Sequence, residues 1–287
     1  MEIWGRKNST AARAQRTVGT FALLVALLAA GCGSSSSSST TRTTQTQASG
    51  AQSSSAATQN TSKQIPPAAA SAAGKPLTVR LLAKLPPEHR PSGSQPHLVG
   101  LTGSLSDQLL TIAGDAGAFW QKQASTVGAQ IPPTTVTVVD QTPATCGTQT
   151  IATGDPDYYC FLNNTVLLTL AYINKYYVPI GNVAVAEDVG ELYGLHVLEV
   201  LGLYKLLDAH KLTHVEIWRA GACMSGAWMY TVYQRKLFSP GDLQALGKLF
   251  ASYAGNGTTA QDWVTSFDTG FQTGDPSKCI PAAAAAP

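Results

Sequence analysis

The chain has 287 residues, of which 44% are hydrophobic and 13% charged, with a formal net charge of +2. Four of the basic residues, Arg6, Lys7, Arg13 and Arg16, fall in the first 32 positions, as does Glu2. Without that segment the chain carries 15 basic and 16 acidic residues, a net charge of −1, and no basic run that could track a nucleic-acid backbone.

The N-terminal segment reads as an address. Behind the four cations, Thr17–Gly31 is uncharged and largely apolar, too short for a comfortable membrane span. It ends in Leu28-Ala29-Ala30-Gly31-Cys32, which resembles a bacterial lipobox with Ala29 where Leu is usual. Residues 1–32 are therefore expected to be a lipoprotein signal peptide. Cys32 would be lipidated and would hold the protein on the outer face of the cell membrane, an extracytoplasmic location. An ordinary signal peptide or an uncleaved anchor is the alternative. Residues 33–75 are Ser, Thr, Gln and Ala with almost no large apolar side chain, so they are expected to form a disordered tether. Such a chain would reach roughly 35–40 Å r.m.s..

Residues 76–281 suffice for one domain with a core. Ser104–Val127 reads as a helix interrupted near Gly114 and Gly117. Thr135–Val139 is short and β-branched, hence a strand. Thr165–Leu170 is a second strand or a buried run. Asn182–Gly202 has Val185, Val189, Leu192, His196 and, just beyond, Leu203 on a helical stripe, with Gly202 as the C-terminal cap. His214–Lys236 is a long apolar helix. Ser239-Pro240-Gly241-Asp242 opens another, with Ser at the cap and Pro at the first turn. Its apolar face is Leu243, Leu246, Phe250 and Tyr253. Asp262–Phe271 carries Trp263, Phe267 and Phe271 at helical spacing. Residues 282–287 read as a frayed tail. The expected class is α+β, helix-dominated with a small β-sheet.

Besides Cys32 there are four cysteines, Cys146, Cys160, Cys223 and Cys279. An even number in an exported domain implies two disulfides, with three pairings open. The loop between Cys146 and Cys160 favours a local bridge, which leaves Cys223 for Cys279. Four reduced, buried thiols are the alternative.

Several anchors in order resemble the bacterial neutral zinc metallopeptidases, a zincin-like group. They run from Asp107 to Cys279. Phe119-Trp120 precedes Ile131-Pro132-Pro133 and Cys146-Gly147. Tyr158-Tyr159-Cys160 then stands before a strand. Gly181–Leu203 follows that family's metal-binding helix without a gap. Ala222-Cys223-Met224-Ser225-Gly226-Ala227-Trp228, Ser239-Pro240-Gly241-Asp242 and Gly270-Phe271-Gln272-Thr273-Gly274-Asp275-Pro276 with Cys279 complete the match. The resemblance implies a zincin-like domain, whose metal helix carries His-Glu-x-x-His.

Here that pentapeptide reads Glu191, Leu192, Tyr193, Gly194, Leu195. The first His falls on Glu191, the catalytic Glu on Leu192 and the second His on Leu195. His196 matches only the additional His after the motif. The downstream acidic pair falls on Trp218 and Ala222, with Glu216 two residues away from the first. A catalytic zinc needs three protein ligands and an open position for water, and a base to take the proton. The expectation is a pseudo-metallopeptidase with no catalytic residue, no metal and no cofactor. It would be anchored to the membrane through Cys32 and bind a protein or peptide in the former substrate cleft. The alternatives are a metal-dependent peptidase with zinc on Glu191, His196 and Glu216, and a structural envelope lipoprotein. Taken by residue chemistry alone, His196 is a core or helix-surface histidine. Glu187, Asp188 and Glu191 form a solvated acidic face, and His210 and His214 a surface pair. Tyr158-Tyr159 and Tyr176-Tyr177 are packing residues.

Overall fold

A computed structural model of the chain describes residues 64–65, 75–85, 103–238, 240–255 and 257–285. The expected signal peptide, its Cys32, most of the expected tether and the capping Ser239 lie outside the described residues.

The elements run in chain order. Two short strands, β1 (Gln64–Ile65) and β2 (Lys75–Pro76), precede α1 (Val79–Leu82) and the long α2 (Leu105–Thr126). Then come β3 (Ala129–Gln130), β4 (Thr135–Val139), β5 (Ala144–Cys146), β6 (Gln149–Ile151), β7 (Tyr158–Cys160) and β8 (Thr165–Thr169). The helices α3 (Leu170–Tyr176), α4 (Asn182–Val200), α5 (Leu203–Asp208), α6 (His214–Gln234), α7 (Pro240–Tyr253) and α8 (Ala260–Thr273) follow. A 3₁₀ turn, Pro276–Cys279, and α9 (Ala282–Ala285) close the chain. The class is α+β, dominated by helix.

The main sheet is mixed, in the order β1-β4-β8-β7. β4 and β8 pair in parallel, Val136 opposite Val166 and Val138 opposite Leu168, and β7 pairs antiparallel to β8. Every residue of β8 is buried. That explains why its run of apolar residues lacks the alternation of a half-exposed strand. Tyr158–Cys160 is itself a strand. Three residues with no polar partner in the alternation carry too little period to be recognised from the sequence.

Short elements stand near both ends of the described residues. Gln64–Ile65, inside the expected tether, pairs with β4, and Gln64 Nε2 donates to Thr137 Oγ1 at 3.2 Å. Lys75 begins a strand that pairs in parallel with β3. Ala282–Ala285 forms one helical turn, in keeping with the high helix propensity of alanine.

α2 is continuous through Gly114 and Gly117, contrary to the expected interruption. Its buried face, which includes Leu109, Ile112, Ala116, Phe119 and Trp120, outweighs the cost of two helical glycines, about 1 kcal/mol each. Gly117 is used for packing, since a Cβ there would come within 3.2 Å of the Tyr193 ring on α4. Asp115 ties the same helix to α6. It accepts from both guanidinium nitrogens of Arg235 at 2.7 and 2.6 Å and from Trp228 Nε1 at 2.9 Å.

α4 occupies the middle of the core, in contact with α2, α6, α7, β7 and β8. It is buried from Val183 to Leu198 on all sides, as a helix hydrophobic around its circumference must be. Gly202, in the left-handed region at φ 80°, ends it and starts α5. Glycines allow α4 and α6 to approach closely. A Cβ on Gly194 would lie 2.7 Å from the Gly221 carbonyl oxygen and 2.8 Å from Met224 Cβ.

Two disulfides cross-link the domain, Cys146–Cys160 and Cys223–Cys279, with Cα–Cα separations of 5.7 and 5.3 Å. The first ties β5 to β7 and the second ties the C-terminal 3₁₀ turn to α6. Both pairings are those the sequence favours.

Candidate functional site

Four of the five positions that the resemblance assigns to a metal centre, 191, 192, 195 and 218 but not 222, line one cavity of about 30 Å³, room for one or two water molecules. Asp188, Glu191, Leu192 and Leu195 line it from α4. Asp157, Tyr158, Tyr159 and Phe161 line it from β7 and its two ends, Tyr204 from α5 and Trp218 from α6. Leu192 and Leu195 are buried at 5% and 8% exposure. Glu191 and Leu195 also pack against α6, where a Cβ on Gly221 would approach Leu195 Cδ2 at 3.0 Å and Glu191 Cγ at 3.2 Å.

The expected solvated acidic face of α4 does not exist. Glu187, Asp188 and Glu191 are 0%, 4% and 1% exposed. The cause is the neighbourhood: α4 has apolar residues on every side, so a carboxylate on it has no solvated face to occupy. The three carboxylates also part company. Glu187 turns to α7, where Tyr253 OH donates to its Oε2 at 3.1 Å. Asp188 and Glu191 turn to the cavity.

Asp157, at the start of β7, meets Asp188 across the cavity. Its Oδ1 accepts from the backbone N–H and the hydroxyl of Thr169 at the end of β8. Its Oδ2 meets no N–H or O–H donor among the described residues. The Asp188 carboxyl lines the same cavity and is the neighbouring charge that Asp157 meets. Burial first, and the neighbouring charge of Asp188 second, raise Asp157 well above the ordinary carboxylate range.

His196 lies on α4 but faces the sheet side. Its Nε2 is 2.9 Å from the Pro132 carbonyl and its Nδ1 2.9 Å from the Tyr159 hydroxyl. A carbonyl only accepts, so Nε2 carries the proton; Nδ1 faces the Tyr159 hydroxyl, whose single proton also faces Asn164 Oδ1 at 3.0 Å. Burial lowers its pKa to about 4, and the ring is neutral. Both nitrogens are thus engaged. Glu216, the third residue of α6, completes a capping box with the N-cap Thr213, its Oε2 accepting from the N–H and hydroxyl of Thr213 at 2.7 and 2.8 Å. Glu191, His196 and Glu216, the substitute metal set, are consequently committed to three different surroundings. His210 is exposed and His214 half-buried at the start of α6. Tyr172, Tyr176 and Tyr177 pack on one another, with ring centroids 4.6 and 5.8 Å apart.

The donor chemistry around the cavity does not suit a catalytic zinc. It offers carboxylate and phenol oxygens and no imidazole, and Leu192 stands where a base would act. Among the described residues no group of three or more His, Cys, Asp or Glu side chains is placed to hold a metal ion. The two residues that sequence reasoning missed as a pair are Asp157 and Asp188. One sign of Asp188 was available: a helix with apolar residues at nearly every position leaves an acidic side chain nowhere to go but inward.

Comparison with models of protein families, with curated proteins and with solved structures found no match.

Proposed function

We propose that this chain is a zincin-like relative of the bacterial neutral zinc metallopeptidases that no longer hydrolyses peptides. In this reading it is held outside the cell membrane by a lipid on Cys32 and a tether, and it acts as a binding module. One observation carries the proposal. Positions 191, 192 and 195 on α4 and 218 on α6, matched to a metal centre by sequence order alone, line a single cavity. Positions 191, 192 and 195 are neighbours by helix geometry, so the weight falls on Trp218, which reaches the same cavity from α6; Ala222 does not line it. The residues that fill them, Glu191, Leu192, Leu195 and Trp218, supply neither the nitrogen ligands nor the base that zinc-assisted hydrolysis needs. Among the described residues no helix is long and apolar enough to cross a membrane, so in this reading attachment falls to the N-terminal segment.

The cavity is too small for a peptide side chain. A protein or peptide partner therefore meets its rim, where Phe161, Tyr204 and Trp218 are half-buried and give aromatic surface of the kind that anchors interfaces.

The test is the metal content of the purified, oxidised chain after dialysis against trace zinc. The expected result is no stoichiometric metal. One tightly held zinc per chain overturns the loss of chemistry. The ancestry is tested by Glu191→His, Leu192→Glu and Leu195→His combined with Trp218→Glu and Ala222→Asp, a variant expected to acquire stoichiometric zinc. A folded variant that binds none removes the ground for the family assignment.

A further inference from the structure

A second concavity, of about 250 Å³, opens on a different face of α6. Its walls come from α6, α8 and the C-terminal 3₁₀ turn, and both cysteines of the Cys223–Cys279 disulfide line it. That bridge holds two of the walls at a set distance. The groove is therefore preformed rather than assembled when something binds.

Its polar character is set by two cations. Arg219 is held in place, with Nε donating to Ser266 Oγ at 3.0 Å, and Ser266 Oγ in turn donating to the Asp262 carbonyl. Its one ion pair among the described residues, Nη1 to Asp262 at 3.7 Å, is long and about one-third exposed, a contact of small energy. The Asp262 carboxylate meanwhile serves as the cap of α8. Lys278 is exposed and has no acceptor among the described residues. The one carboxylate on the groove, Glu216, has its Oε2 turned to Thr213. The Ser266 and Thr269 hydroxyls already donate to backbone carbonyls, so Arg219 and Lys278 supply the free donors. Ala220, Ile280 and Pro281, which are apolar, also line the groove.

The geometry points to this groove as a binding site for a peptide's C-terminal carboxylate. The carboxylate sits between Arg219 and Lys278, and a small apolar last side chain rests on Ile280 and Pro281. A guanidinium already oriented by a neighbour suits a planar carboxylate. The volume lies just below the ~300–1,000 Å³ of typical ligand pockets, enough for the last residue or two of a chain. The site is independent of the cavity on α4 and of any metal there.

The experiment is ligand-observed NMR on the full chain in detergent, with N-acetyl-Ala-Ala as the free acid and as the amide. The acid is expected to bind with a dissociation constant of about 1 mM, and the amide at least tenfold more weakly. Lys278→Ala, at an exposed position, is expected to weaken the acid severalfold with the fold unchanged. Arg219→Lys keeps the charge but loses the planar fork, and is expected to weaken it as well. Equal binding of acid and amide overturns the proposal, as does no binding of either at about 10 mM. Affinity for inorganic sulfate equal to that for the peptide acid overturns the peptide assignment. Undiminished binding by both variants removes the two cations from the site.

Discussion

At the scale of single residues, two buried titratable groups pull the pH dependence of stability in opposite directions. Asp157 is raised above its ordinary 3.8, so over that interval the folded chain holds a proton that the unfolded chain has released. Its contribution is complete below the unfolded value and is lost as pH rises through the folded one. His196 is lowered from 6.5 to about 4, so its contribution is complete above 6.5 and is lost as pH falls toward 4. That loss is on the order of 3 kcal/mol. Asp157→Asn keeps an oxygen for Thr169 and offers an amide N–H to Asp188. It is expected to gain on the parent protein steadily as pH rises above 4. His196→Gln is expected to gain on it as pH falls from 6.5. Urea midpoints across pH 4–8 check both, and a difference from the parent that is constant with pH contradicts the assignment. Little of this was readable beforehand. Residue chemistry alone leaves His196 as a core or helix-surface histidine and puts the acidic residues of α4 on a solvated face. Burial is decided by what packs on the helix.

At the scale of elements, close helix contacts depend on glycines that propensity alone would count as defects. In Gly194→Ala the new methyl would meet the Gly221 carbonyl oxygen at 2.7 Å. The variant is expected to lose about 2–3 kcal/mol by overpacking, even though alanine is the better helix former by about 1 kcal/mol. Gly114→Ala is the matched control. Its Cβ meets nothing within 4 Å at an exposed position inside α2, so it is expected to gain about 0.5–1 kcal/mol. Thermal unfolding of the two variants tests the contrast, and a loss at both sites would mean that α2 needs its glycine for another reason. Long elements were legible because their apolar spacing repeats over several turns. The strand Tyr158–Cys160 and the helix Leu170–Tyr176 were not, since three and seven residues carry too little periodicity.

At the scale of the whole molecule, the disulfides secure the walls on which both sites stand. Cys223–Cys279 spans 56 residues and Cys146–Cys160 spans 14. Replacing the first pair with Ser is expected to cost about 4 kcal/mol and the second about 3 kcal/mol, by the loop entropy restored to the unfolded chain. Denaturant midpoints of the two double variants measure this, and an unchanged midpoint in either shows that its bridge does not constrain the unfolded chain. The amino-acid sequence by itself determined the helical class, an even set of cysteines in the domain with the favoured pairing, and the absence of His-Glu-x-x-His from the Gly181–Leu203 segment. Each is a matter of residue identity or short-range spacing. Only the tertiary structure decided that Asp157 and Asp188 line one cavity, that His196 turns to Pro132, and that Arg219 and Lys278 border one groove. Those facts join residues 31 to 64 positions apart in the chain, and their cause is packing around a helix buried on every side, which no local pattern contains.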